Sequence, residues 1–441
     1  MPNQQRRQLL KATAFGGIAA LAGCLGDDGD DDAGTGDDGS DAGNGTGEAS
    51  GELNYVHPSY FGADAADLVP MFEEGRNISV STQSSPGDAT STREYYVNQF
   101  IAESGDFDVG NMDIIWPGEF AGNQWAAEME DPEGHTDNML NTPVDAMMVD
   151  GAMYGMPLHT DANALYYRTD KLEEYGYDGP PETYTELVNM AEEILEEDDE
   201  ITNGYVWQGG TNEGLTIMWL NWVWGMDGEV WDGDSVTVNH EEGVAALQHA
   251  VDLIHEYEIT PEFMPSSATD ENRETFQQGS TLFMRNWPYA VSLMNEEGSP
   301  VQGDFSVAPL PTHEDHPDAH NSCLGGWNLF INANAQNVGA AQEFATFAAS
   351  LEAQEHLARE HSRLPVREEV YENEEIREEF EELALFENIL ERTRARPPLI
   401  SYPTFSEIVF TEANRALVQD KTPQEALDDA QEEIEASIDE A

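Results

Sequence analysis

The sequence predicts an α/β fold in two domains, and three observations carry that prediction. Its 441 residues exceed what a single hydrophobic core usually serves, so two domains are expected. With 39% hydrophobic residues, including 9 Trp, 15 Tyr and 17 Phe, there is enough apolar surface to pack both. From residue 52 onward short apolar runs alternate with helical patterns, the signature of sheet and helix stacked in layers.

Taken in order, residues 1–23 read as an export signal. Arg6-Arg7 is a twin-arginine pair, a mostly apolar run follows over 12–22, and Leu21-Ala22-Gly23-Cys24 closes the segment. The run is too short to cross ~30 Å of hydrocarbon as a helix. Its ending matches a lipobox, which predicts a lipid on Cys24 after cleavage. Cys323, the other cysteine, then has no partner in the chain and reads as a small buried packing residue. Residues 24–51 follow as an acidic tether, since from 26 onward no apolar side chain is larger than alanine. Such a segment spans ~30 Å on average. Gly34-Thr35-Gly36-Asp37-Asp38-Gly39 fits the dinucleotide pattern GxGxxG in letters only, because no strand precedes it and no helix follows.

Strands are expected at 53–56, 78–82, 113–116, 281–284, 305–308 and 328–332. Three helices carry explicit start signals. After Pro180-Pro181, Thr183 and Glu186 form a capping box ahead of the stripe Leu187, Met190, Ala191, Ile194 and Leu195. Asn239 and Glu242 open a second helix with Leu247, Val251 and Ile254 on its apolar face. Thr422, Pro423 and Glu425 open the last, ahead of Leu427, Ala430, Ile434 and Ile438.

The charge balance is extreme, 88 acidic against 18 basic residues for a net charge of -70. Nucleic acid and anionic membrane surfaces are repelled by such a chain. Its only lysines are Lys11, Lys171 and Lys421. At multimolar salt the Debye length falls to ~3 Å or less, which screens this self-repulsion, and a halophilic surface is the reading.

Catalytic signatures are missing: there is no GxSxG, HExxH, CxxC or GK[ST]. No catalytic residue, cofactor or metal is nominated, and the chain does not read as an enzyme. Glycosidase chemistry needs two carboxylates ~5 to 10 Å apart; sequence cannot select them among 88 acidic residues, so a secreted sugar-active enzyme stands as one alternative and a polyamine binder as another. The histidine-rich stretch 313–320 lies among prolines and reads as a solvated loop. What recurs instead is an aromatic ring beside Asp, Asn, Arg or Gly, at 112–117, 159–163, 285–289, 325–328 and 394–398. Neighbouring sugar hydroxyls suit a carboxylate or a guanidinium, the C–H faces suit an indole, and a glycine pair lets backbone come close.

In this order the segments resemble the extracellular solute-binding family of sugar ABC importers, most closely the archaeal trehalose/maltose-binding proteins. The likeness runs from about 53 to 438 and is strongest at 154–171 (YGMPLHTDANALYYRTDK), 180–183 (PPET), 276–279 (FQQG) through 285–290 (RNWPYA), 307–311 (VAPLP) and 324–327 (LGGW). It implies a two-lobe periplasmic-binding-protein-like fold, with lobes at 52–162 plus 329–365 and 166–327 plus 369–441. Three crossings near 161–165, 327–332 and 364–367 would join them, with a ligand cleft that closes by hinge bending. Residue by residue, the resemblance implies Asp113 and Asp161 as acceptors of sugar hydroxyls and Trp287 and Trp327 as stacking rings. Gly326 becomes a backbone contact and Arg396 a hydroxyl donor, with Arg93 and Tyr289 as further contacts. His159 stands where relatives often carry tyrosine, and the loop 58–62 (PSYFG) lacks the acidic residue they can place there. The family likeness also implies a monomer that hands trehalose, maltose or another glycoside to an ABC permease at the outer face of the cell membrane, held there by lipid alone.

Overall fold

The computed structural model describes residues 51–131, 134–399 and 401–440, without the side chains of 438–440. The export signal, Cys24, the tether and the side chain of Ile438 lie outside the described residues. The strands, in chain order, are β1 (Gly51–Pro58), β2 (Ile78–Ser85), β3 (Val109–Asp113), β4 (Met148–Val149), β5 (Ala152–Met153) and β6 (Met156–Ala162). They continue with β7 (Ala164–Arg168), β8 (Asn203–Val206), β9 (Thr281–Asn286), β10 (Phe305–Ala308), β11 (Ser322–Ile331) and β12 (Thr393–Arg394).

Two main sheets result. The first runs β12-β11-β3-β1-β2, with β6 also paired to β11. β1 lies parallel to both β2 and β3, and parallel neighbours need a crossover; the helices Gly62–Glu73 and Ala89–Ile101 supply it. β11 then enters antiparallel to β3 and β6. The second sheet runs β10-β7-β9-β8. Each has its own core: Tyr96, Phe120 and Phe330 are among the rings packed against the first sheet, and Trp207, Trp219 and Phe283 against the second. The fold is therefore a mixed α/β protein of two lobes.

Three passages link the lobes. Asn163 separates β6 from β7, and the chain changes sheet at that residue. Its N–H donates to Ser322 Oγ at 2.8 Å and its side-chain amide to the Cys323 carbonyl at 2.6 Å. Asn221 completes the knot, donating to Asn163 Oδ1 at 3.1 Å while its Oδ1 accepts the Cys323 N–H at 3.0 Å. On β11, Cys323 sits in the second core, and Trp327 and Leu329 to Ile331 in the first. Residues 324–327 pair with β6 in the first sheet, so this passage precedes Trp327, earlier than the 327–332 expected, and 324–327 do not fall in the second lobe. The third follows Val366, the last residue of the chain in the first core, and Val370 already lies in the second.

The capping box of Thr183 and Glu186 is present at the start of Tyr184–Glu197, and Thr422 and Glu425 exchange the same pair of hydrogen bonds. Four sequence expectations differ, among them the strand expected at 328–332, which begins at Ser322. The helix Glu241–His255 is capped by His240, whose Nδ1 accepts the Gly243 N–H at 3.1 Å, because Asn239 is turned toward Asp428. The strand expected at 113–116 ends at Asp113, since Pro117 starts a short helix directly after it. β6, β7 and β8 were not anticipated; every residue of β6 is buried, so it shows no inside–outside alternation to read.

Candidate functional site

A cavity of about 330 Å³ lies between the lobes. β3 ends on Asp113 and β6 carries His159 and Asp161, so carboxylates arrive at strand ends from the first lobe. From the second lobe come Glu213, at the start of the helix Glu213–Gly225, together with Trp287, Tyr289 and Arg396. Gly325, Gly326 and Trp327, on β11, form the wall where the lobes meet.

Arg396 is the electrostatic centre. Its guanidinium donates to Glu213 Oε1 at 2.9 Å and to Asp113 Oδ1 at 3.0 Å, so one cation ties carboxylates of both lobes. Glu213 also accepts hydrogen bonds from Tyr402, at 2.8 Å, and Ser406. Burial pushes the Asp113 and Glu213 carboxyls above their ordinary range, and the Arg396 charge pulls back against that. Arg396 Nε, also buried, has no hydrogen-bond partner among the described residues.

His159 and Asp161 are only 2% and 7% exposed. His159 Nε2 lies 3.3 Å from Asp161 Oδ2. Neither ring nitrogen of His159 nor Oδ1 of Asp161 has a hydrogen-bond partner among the described residues. Buried polar atoms left in this state are costly, roughly 1–3 kcal/mol each. These three and Arg396 Nε belong to residues that line the cavity, while others, such as those of Gln208 and Arg285, lie outside it.

Aromatic rings make up much of the remainder. Trp327 packs edge-on against Phe61, Trp116 and Tyr60 at centroid separations of 5.4, 5.4 and 6.0 Å. Arg285 lies over the Trp287 ring, 4.4 Å from its centroid. A Cβ at position 325 would stand 2.7 Å from Trp287 Cζ3, so only glycine lets the indole lie against β11. Gly326 has φ of +146° and a Cβ there would stand 2.9 Å from the His159 carbonyl, so conformation and space both require glycine.

Of the residues singled out from sequence, Asp113, His159, Asp161, Trp287, Tyr289, Gly326, Trp327 and Arg396 share this one cavity. Arg93 does not line it; its guanidinium makes a two-pronged pair with Glu119, with Nε at 2.7 Å from Oε2. Sequence reasoning missed Tyr60, Glu213, Asp270 and Arg363. Asn212 caps the helix that Glu213 begins, so an N-cap signal was available there. Arg363 announced itself only by standing next to the expected third crossing. It pairs with Asp64 at 2.7 and 2.9 Å and lies over the Phe61 and Tyr289 rings.

A family model described as bacterial extracellular solute-binding protein matches residues 56–355. A probable ABC transporter-binding protein of Deinococcus radiodurans is 30% identical over 328 residues, covering 73% of this chain and 77% of the relative. Among solved structures, maltose-bound MalE3 of T. maritima superposes with a TM-score of 0.82 at 32% identity, over 87% of this chain and 99% of that one. A solute-binding protein from Thermotoga lettingae bound with alpha-D-tagatose gives a TM-score of 0.79 at 25% identity, over 87% and 99% of the two chains.

Proposed function

The chain belongs to the bacterial extracellular solute-binding protein family, and from that premise we propose that it captures a neutral sugar and passes it unaltered to an ABC permease. The observation that carries this reading is the set of unpaired buried atoms on His159, Asp161 and Arg396, side by side with Trp287 and Trp327 around one cavity. A sugar answers both halves of that surface. Its hydroxyls donate to Asp161 and accept from Arg396, while its C–H faces cover the rings.

The cavity volume of about 330 Å³ suits one to two sugar rings, and maltose and trehalose head the candidates. The family resemblance suggests tyrosine where this chain has the smaller, more polar His159, so a different glycoside is also a candidate. The lining carries Asp88, Asp113, Asp161, Glu213, Asp270 and Glu271 against Arg363 and Arg396. That excess disfavours anionic ligands and supports a second reading, a polyamine.

Isothermal titration in high salt with maltose, trehalose, tagatose and spermidine separates the readings, with chromatography of the recovered ligand. A sugar bound one to one and returned intact is the expected result. Cleaved sugar would point to a glycosidase, and a response to spermidine alone to a polyamine binder. The export signal at 1–23, lipidation of Cys24, the tether and an outer-face location remain part of the proposal. Cys24→Ser is expected to release the protein or leave it unprocessed, read by fractionation. Among the described residues no helix is long and apolar enough to cross a membrane.

A further inference from the structure

Away from the cavity, three metal-ligating side chains converge. Asp67 sits on the helix Gly62–Glu73, while His356 and His361 sit on Leu351–His361, which packs against it. The Nε2 atoms of His356 and His361 stand 3.1 and 2.9 Å from the same atom, Asp67 Oδ2. One ligand atom from each of the three residues falls within 4.8 Å of the others, and no other group of this kind occurs among the described residues.

Helical spacing does not produce this arrangement. Residues five apart on a helix are rotated by about 140°, so His356 and His361 do not share a face. They meet because the docked helix places Asp67 between them. A tetrahedral Zn2+ with bonds of ~2.0–2.2 Å separates its N and O ligands by about 3.3 Å. The observed N–O separations of 2.9 and 3.1 Å therefore need to open by only a few tenths of an ångström, and the two imidazoles, each with a ligand nitrogen within 4.8 Å of the other's, need to close on the ion. The side chains are partly open, at 28% for His356, 15% for His361 and 43% for Asp67, which leaves an entry path and room for water as fourth ligand.

We propose that Asp67, His356 and His361 form a binding site for a divalent transition metal, Zn2+ being the best fit. Two imidazoles select Zn2+, Ni2+ or Co2+ over Mg2+ and Ca2+, which prefer all-oxygen shells. The expected consequence is structural. His361 ends its helix, Ser362 turns the chain with φ of +49°, and Arg363 then reaches Asp64, one turn before Asp67. A metal at this point ties the first crossover helix to the segment that leads into the third passage between lobes. The histidine-rich loop differs: His313 and His316 make only loose acidic contacts of 3.7 to 3.9 Å there.

The test uses the full chain, stripped with EDTA and titrated with ZnCl2 over excess MgCl2, which occupies carboxylate-only sites. One tight site per chain is expected, with X-ray absorption reporting two imidazole ligands and an unfolding midpoint raised by roughly 2 °C or more at saturation. Asp67→Asn and His361→Gln are each expected to weaken binding at least about tenfold and to abolish the midpoint shift, with circular dichroism in EDTA unchanged. A His313→Gln, His316→Gln variant is expected to keep the site. Should His361→Gln fail to fold, Asp67→Asn decides, since its carboxylate is the most exposed of the three. No saturable Zn2+ binding by the wild type, wild-type binding by Asp67→Asn, or loss of binding in the loop variant would each overturn the proposal.

Discussion

Asp161 keeps one oxygen near His159 and leaves the other without a hydrogen-bond partner among the described residues. If that oxygen receives a sugar hydroxyl, Asp161→Ala loses a charged hydrogen bond of about 1.5–3 kcal/mol. Trp287→Ala loses about 1 kcal/mol or more of stacking and apolar contact. Titration calorimetry reads both, and unchanged affinity in both variants, with native circular dichroism, would sink the cavity as the site. Asp64 makes a different kind of prediction. Burial raises its carboxyl, but the Arg363 charge and hydrogen bonds more than compensate, and the net shift is downward. A carboxyl with a depressed folded value contributes stability in full above its unfolded pKa of ~3.9 and loses it as pH falls through the folded value. Asp64→Asn strands the buried Arg363 and is expected to cost about 3–5 kcal/mol at neutral pH. In a urea series the variant is also expected to lose less stability than the wild type when acidified.

Among elements, β11 matters most, because it runs from the second core into the first and carries Gly325, Gly326 and Trp327 on the way. Its start is held by Asn221, whose side chain satisfies the Cys323 N–H and the Asn163 side-chain oxygen. Asn221→Ala leaves both buried groups unpaired, at a cost of about 1–3 kcal/mol in urea unfolding, and because it loosens two passages at once, ligand affinity is expected to fall as well. A variant with wild-type stability would show that the knot carries no weight. Helix starts such as Thr183 and Thr422 were legible because capping is decided within four residues. β11 was expected at 328–332 but begins at Ser322, and Gly325-Gly326 lie inside the strand, where the pair admits Trp287 and the β6 backbone.

At the scale of the molecule, contacts already cross between the lobes. Arg396 reaches Asp113, the Glu213 N–H donates to Thr90 Oγ1 at 3.1 Å, and Tyr60 meets Tyr289 at a centroid separation of 6.1 Å. Under the proposed function a ligand adds further contacts that exist only in this closed form, so it shifts the population toward closure. X-ray scattering is expected to show the protein contracting when its sugar is added, and an unchanged radius of gyration would count against a closing cleft. The net charge of -70 bears on stability across the whole surface. Screening by multimolar KCl is expected to raise the unfolding midpoint steeply, and a flat response would reject the halophilic reading.

By itself the sequence determined what local chemistry decides: the alternation of apolar runs and helices that makes an α/β body, and the two capping boxes. Each of these is settled within a few residues of chain. The eight cavity residues came from the family resemblance that its aromatic, acidic and glycine words carry. Only the tertiary structure decided the pairings between distant segments. Arg396 between Asp113 and Glu213, Arg363 on Asp64, and His356 and His361 on Asp67 join residues 183 to 299 positions apart. Such contacts depend on how helices dock on sheets, and among 88 acidic residues no local pattern marks which carboxylate a given cation will meet. Arg93 shows the same limit from the other side, since its neighbour Glu119 took it away from the cavity.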